Sequence, residues 1–61
     1  MNFKQYWIQL SPKEKNDLAD RANTPKDYLS QLAHGHRNAG ANIIERLMKA
    51  DSKITFQMMR D

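Results

Sequence analysis

Apolar residues recur along this chain at the three- and four-residue spacing of helix faces, and no stretch alternates as a half-buried strand would. Phe3, Tyr6, Trp7 and Leu10 share one such face, which predicts a first helix over residues 2 to 10. Ser11-Pro12-Lys13-Glu14 then reads as a helix start. Ser11 supplies a capping oxygen, Pro12 suits the first helical position, and Glu14 reaches back to complete a capping box. This second helix runs to about residue 22, with Leu18, Ala19 and Ala22 inward. Asp17 and Arg21 stand four apart on its outer face, where an ion pair contributes a few tenths of a kcal/mol.

Asn23 comes next, and asparagine is one of the few non-glycine residues that enters left-handed backbone readily, so it turns the chain. Thr24-Pro25 restarts a helix, with Thr24 as the cap and Asp27 in the first turn, where a carboxylate suits the helix dipole. Leu29, Leu32 and Ala33 face inward over residues 25 to 34, and Gly35 stops this third helix. Residues 36 to 40 form a loop. Ile43, Ile44, Leu47 and Met48 mark a fourth helix, and Thr55 caps a final short turn that holds Phe56, Met58 and Met59. The expected fold class is all-α, a compact bundle of four to five short helices.

With 61 residues, the chain is expected to form one domain spanning positions 1–61. A domain of that size buries only about 60% of the surface its unfolded chain exposes, so its stability is a few kcal/mol. The absence of cysteine excludes a disulfide framework and a thiolate zinc site, and it fits a reducing compartment. No apolar run approaches the roughly 20 residues of a membrane span. Met1-Asn2-Phe3-Lys4 lacks the basic start and apolar stretch of a signal peptide, so the expected location is cytoplasmic.

A net charge of +3 favours polyanionic partners only weakly. The placement of charge says more. Lys26, Arg37, His34 and His36 fall between positions 26 and 37, opposed there only by Asp27, while Glu14, Asp17 and Asp20 gather upstream. The basic stretch coincides with the second member of the helix pair.

Leu18-Ala19, Ala22, the turn at Asn23-Thr24, Tyr28-Leu29-Ser30-Gln31-Leu32-Ala33 and Gly35-His36-Arg37 together resemble the helix-turn-helix of small phage and prophage Cro-like (YdaS-type) repressors. Lys53-Ile54-Thr55 and Met59-Arg60-Asp61 resemble the tail of that group, so the likeness covers roughly residues 12 to 61. It departs at Asn23, where glycine is usual, at Pro25, where a serine or threonine cap is common, and at Gly40, where serine often opens the fourth helix. The resemblance implies a lambda-repressor-like arrangement. Ala19 would sit at a close helix crossing, the turn residue would take a positive φ, and Leu29 and Leu32 would hold a recognition helix to the core. It also implies a function: a transcriptional repressor that places helix 25–34 in the major groove of a double-stranded DNA operator.

A recognition helix presents its first turns to base edges. The side chains not needed for the core are Lys26, Asp27, Tyr28, Ser30, Gln31 and His34. Gln31 suits paired hydrogen bonds to adenine, and Lys26 reaches guanine or a phosphate. Ser30 serves base or phosphate, and Tyr28 donates to a phosphate or packs on a sugar or methyl group. Asp27 either accepts from cytosine N4 or only favours the helix N-terminus. The resemblance implies backbone contacts at His36, Arg37 and Asn38, where a cation followed by an amide suits phosphate oxygens. Lys13, Lys15 and Asn16 open the second helix and are placed to hold the opposite strand's backbone.

His34-Gly35-His36 makes a poor metal site without cysteine or a neighbouring acid, and no nucleophile–base pair or phosphate-cradling glycine loop points to an enzyme. No cofactor is expected. The aromatic stripe of the first helix reads as core, whereas Ile54, Phe56, Met58 and Met59 either close the bundle or form part of a dimer contact. One small module covers little DNA, so the expected target is a pseudo-palindrome bound by two copies. The competing expectation is a protein-interaction module, such as an antitoxin or a phage protein that sequesters a host factor.

Overall fold

The computed structural model describes residues 1–60. Five helices follow one another: α1 (Phe3–Gln9), α2 (Pro12–Arg21), α3 (Lys26–Ala33), α4 (Ala41–Ala50) and α5 (Phe56–Arg60), with no strand among the described residues. Local side-chain chemistry starts three of them. Asn2 caps α1 in a reciprocal box, its Oδ1 accepting from the Gln5 N–H at 2.8 Å while Gln5 Oε1 accepts from the Asn2 N–H at 3.0 Å. The spacing of Asn2 and Gln5 carries that signal, so residue 2 stands outside the helix as its cap. Ser11 and Glu14 form the expected second box, at 3.1 and 2.8 Å. Thr55 Oγ1 accepts from the Met58 N–H at 3.1 Å and opens α5.

Two helices end in the same way. Asn23 has φ +53° and Gly35 φ +79°, the left-handed backbone that reverses a chain after a helix. At the first, the Thr24 N–H bonds the Ala19 carbonyl at 3.0 Å and the Asn23 N–H bonds Asp20 at 3.1 Å. At the second, the His36 N–H bonds the Gln31 carbonyl at 2.9 Å and the Gly35 N–H bonds Leu32 at 3.3 Å. Both are Schellman motifs, which satisfy the last carbonyls of the helix they close.

The first motif corrects the expected start of α3. Thr24 belongs to the end of α2, so it does not cap the next helix; Pro25 occupies that position with no side-chain cap bond. The helix therefore spans Lys26–Ala33, one residue shorter at each end than the sequence pattern implies. α4 likewise begins after Gly40, again with no side-chain cap.

α3 packs against α1 and α2, and α2 also packs against α4, which carries α5. Phe3, Trp7, Leu18, Ala19, Ala22, Leu29, Ala33, Ile43, Ile44, Leu47, Ile54 and Met58 form one buried cluster, with Leu29 and Leu47 completely enclosed. The Phe3 and Trp7 rings, both buried, lie 5.9 Å apart between centroids and form the core part of the aromatic stripe. Tyr6, Leu10 and Leu32 are half-buried at its edge. Met48, one of the residues that mark α4 in the sequence, is 40% exposed. It sits about 100° around α4 from Leu47, at the margin of the buried stripe, and the short α5 does not cover it. The expected Asp17–Arg21 pair is not formed; among the described residues the side-chain ion pair is Glu45–Lys49 on α4, at 3.3 Å.

Tyr6 joins the first helix to the end of the fourth. Its hydroxyl donates to Asp51 Oδ2, and Asp51 Oδ1 accepts from the Lys53 N–H at 2.9 Å. Burial of the phenol, then its bond to the Asp51 carboxylate and the nearby negative charges, push its pKa from 10.0 up to about 12. The folded state thus holds a proton that the unfolded chain releases near pH 10. This contribution to stability is full below pH 10 and is lost as pH rises through about 12. Thermal melts in alkali should show the advantage of the native protein over Tyr6→Phe shrinking across that window. An advantage that stays constant with pH would place the hydroxyl in water.

Candidate nucleic-acid interface

The two chain reversals bracket α3 and decide what surrounds it. Leu29 and Ala33 hold its inner face to the core, so the opposite face is left to polar side chains. Lys26 and Asp27 are exposed in the first turn, Tyr28, Ser30 and Gln31 are half-buried, and His34 is exposed at the end. Asp27, Gln31 and His34 fall on one stripe, because positions four and three apart share a helix face. His36, Arg37 and Asn38 follow as an exposed segment.

The reversal at Gly35 folds that segment back over the helix it has just left. Arg37 Nε donates to Gln31 Oε1, and the Arg37 guanidinium carbon lies 5.4 Å from the centroid of the Tyr28 ring. Gln31 is therefore held twice, its carbonyl by the His36 N–H and its amide oxygen by Arg37. The sequence alone assigns Gln31 to bases and Arg37 to the backbone as separate roles. In the structure, Tyr28, Gln31 and Arg37 form a single cluster.

Other expected residues stand apart from it. The Lys15 ammonium lies 5.4 Å from the centroid of the Trp7 ring, so this half-buried lysine packs on the core aromatic rather than standing clear in solvent. Asn16, His34, His36 and Asn38 are exposed, and among the described residues no side-chain hydrogen bond ties them, Lys26, Asp27 or Ser30 to the cluster. No group of three metal-ligating side chains is present among the described residues.

One basic residue was missed. Arg46 on α4 lines a groove of about 280 Å³ together with Thr24, Pro25, Tyr28 and Gly40. The same groove touches the caps of α3 and α4, and both of those helices begin without a side-chain cap. Uncapped N–H groups and a guanidinium all favour an anion. The sequence signal for Arg46 is its position three residues after buried Ile43, but its nearness to α3 follows from how α2, α3 and α4 pack.

Three of the acids are gathered elsewhere. Glu14, Asp17 and Asp51, with Arg21 and Lys53, line a separate groove of about 250 Å³ beside Tyr6. Glu14 is held below the usual carboxylate range by its bonds to Ser11. The segregation of charge along the sequence is only partly kept in space, because Asp20 lies with Thr24 and Pro25 beside the start of α3. A further apolar groove between α4 and α5 exposes Met48 and Phe56, the latter 48% exposed. Part of the apolar C-terminal set, Ile54 and Met58, closes the bundle; Phe56 does not. No helix among the described residues is long and apolar enough to cross a membrane. Compared with family models, with curated proteins and with solved structures, the chain matches none of them.

Proposed function

We propose that this protein is a sequence-specific regulator that binds double-stranded DNA, laying α3 in the major groove. The observation that carries the reading is the pair α2–α3, closed by left-handed Asn23, with a polar outer face on α3 and Arg37 folded back beside Gln31. A helix of this kind fits the roughly 12 Å width of the groove, and its first turns meet base edges. Lys26, Arg37 and Arg46 supply phosphate contacts, with the uncapped starts of α3 and α4 assisting. Occupation of an operator in this way blocks polymerase, so the regulator acts as a repressor.

The longest dimension of the Cα framework is 25 Å. Successive major-groove faces on one side of the duplex lie about 34 Å apart, so one copy reads one half-site. Two copies on a pseudo-palindrome supply the affinity that one small module lacks.

Selection of bound duplexes from a random pool tests the proposal. The expected result is an enriched motif with two-fold symmetry, bound by two copies in a gel-shift titration. No enrichment, together with no shift of any duplex at low salt, overturns it. A second reading, a module that binds another protein, draws on the exposed Met48–Phe56 groove. A stoichiometric protein partner captured by a chain that shifts no DNA would favour that alternative.

A further inference from the structure

α4 turns two different sides to its surroundings. Arg46 lines the groove at the start of α3, whereas Met48, about 200° around the helix, lines another groove with Phe56 of α5. That second groove has a volume of about 460 Å³. Because α5 packs on α4 while α3 packs on α1 and α2, it lies away from the helix proposed to meet DNA. Ile44 is buried within it, and Met48 and Phe56 are large apolar side chains left open to solvent. Single apolar residues scattered on a surface are ordinary, but two from different helices that share one cleft mark an interaction site. The rim is charged in a particular way. Glu45 and Lys49 are both exposed, stand one turn apart on α4 and pair with each other at 3.3 Å. Arg60 adds one further cation, 5.5 Å from the centroid of the Phe56 ring.

We infer that this groove joins two copies of the chain, α4 of one crossing α4 of the other in antiparallel sense about a two-fold axis. The inference goes beyond the DNA-binding reading, which calls for two copies and leaves the surface between them unassigned. A two-fold contact uses the same patch twice, so the patch has to complement itself. Glu45 and Lys49 meet that condition, since an antiparallel crossing brings Glu45 of each copy beside Lys49 of the other. The face around α3 does not meet it, because Lys26, Arg37 and Arg46 would be set against their own counterparts. Met48 and Phe56 then enter the groove of the opposite copy, and their apolar surface leaves water. A standard interface takes roughly 800 Å² from each partner, about a fifth of the 4265 Å² that this chain exposes. A groove between one face of α4 and a five-residue helix offers less. The contact therefore belongs to the weak class, with a dissociation constant of about 0.1 mM. On one duplex, adjoining copies face each other at an effective concentration of about a millimolar, which is enough to couple them.

Sedimentation equilibrium tests this without DNA. The native chain should pass from monomer to dimer between about 10 µM and 1 mM, and Met48→Glu and Phe56→Glu should stay monomeric throughout. Trp7 fluorescence checks that both variants remain folded. The charged rim gives a sharper test. Glu45→Lys and Lys49→Glu each set like charges across the contact, so each alone should associate at least about tenfold more weakly than the native chain. Mixed in equal amounts, they restore opposite charges across it and should recover the native affinity. A native chain that stays monomeric at about 1 mM overturns the inference and leaves the groove to a different protein. Dimers undiminished in Phe56→Glu, or a mixture no stronger than its two components, overturn it as well. On the selected duplex, Phe56→Glu should bind each half-site without cooperativity, and cooperativity equal to the native chain's counts against the contact. If the native chain binds no duplex, the DNA-binding reading fails, and the sedimentation results still decide the contact between copies.

Discussion

Leu47→Ala should leave much of the protein unfolded at physiological temperature, whereas Met48→Ala, one residue along, should change stability little. Leu47 is completely enclosed and Met48 is 40% exposed, although both are large apolar residues on α4. Truncating an enclosed leucine costs about 2–5 kcal/mol, the lost transfer energy plus the cavity left behind. A domain of this length has only about 3–9 kcal/mol in total. The loss is therefore comparable to the whole stability, while a change at an exposed position stays within about 0.5 kcal/mol. Trp7, the single tryptophan of the chain, is 2% exposed and reports unfolding by its fluorescence. In urea, with a slope of roughly 1 kcal/mol per molar, the Leu47→Ala midpoint should fall by about 2 M or more. Equal shifts for the two variants would mean that α4 does not divide its apolar residues in this way.

That contrast also marks how far the sequence could be read. What depends on neighbours within a turn was legible: the Ser11–Glu14 box, Thr55 as a cap, and the reversals at Asn23 and Gly35 each rest on residue types and a spacing of three or four. The start of α3 was misread because Thr24 had two possible employers. Its N–H serves the carbonyl of Ala19, and local propensity does not say which helix claims a residue shared by a tight turn. The exposure of Met48 was not legible for a different reason. Helical periodicity places it beside the apolar stripe, but whether anything covers it depends on the length and course of α5.

The candidate interface divides along the same line. Its inventory was legible, since Lys26, Tyr28, Gln31 and Arg37 all stand near the pattern of a polar helix face followed by a basic loop. Its wiring was not. Gln31 and Arg37 meet only because the chain reverses at Gly35 and lays residue 37 against the preceding turn of helix. Arg46 joins the same region across a helix packing that no local pattern encodes. Lys15 shows the opposite outcome: an expected backbone cation packs on Trp7 of the preceding helix. Residue types announce which chemistry is available, and tertiary geometry decides which groups share it.

Binding of the protein to its selected duplex should weaken by about 10³-fold between about 50 and 200 mM salt. Lys26, Arg37 and Arg46 are the cations placed around α3, and two copies would together neutralise about six phosphates. Each neutralised phosphate releases condensed counterions, so the logarithm of affinity falls with the logarithm of salt at about 0.9 per contact. A slope near 5 to 6 follows for about six contacts. Arg37→Ala removes one contact from each copy and should lower the slope by about 2. Lys49→Ala should leave it unaltered, because that ammonium is paired with Glu45 at 3.3 Å beside the separate α4–α5 groove. Fluorescence anisotropy titrations of a labelled duplex over a salt series measure all three slopes. A native slope near zero would remove phosphate contact from the mechanism. An equal fall in slope for Arg37→Ala and Lys49→Ala would show that net charge, and not the placement of cations around α3, governs the encounter with DNA.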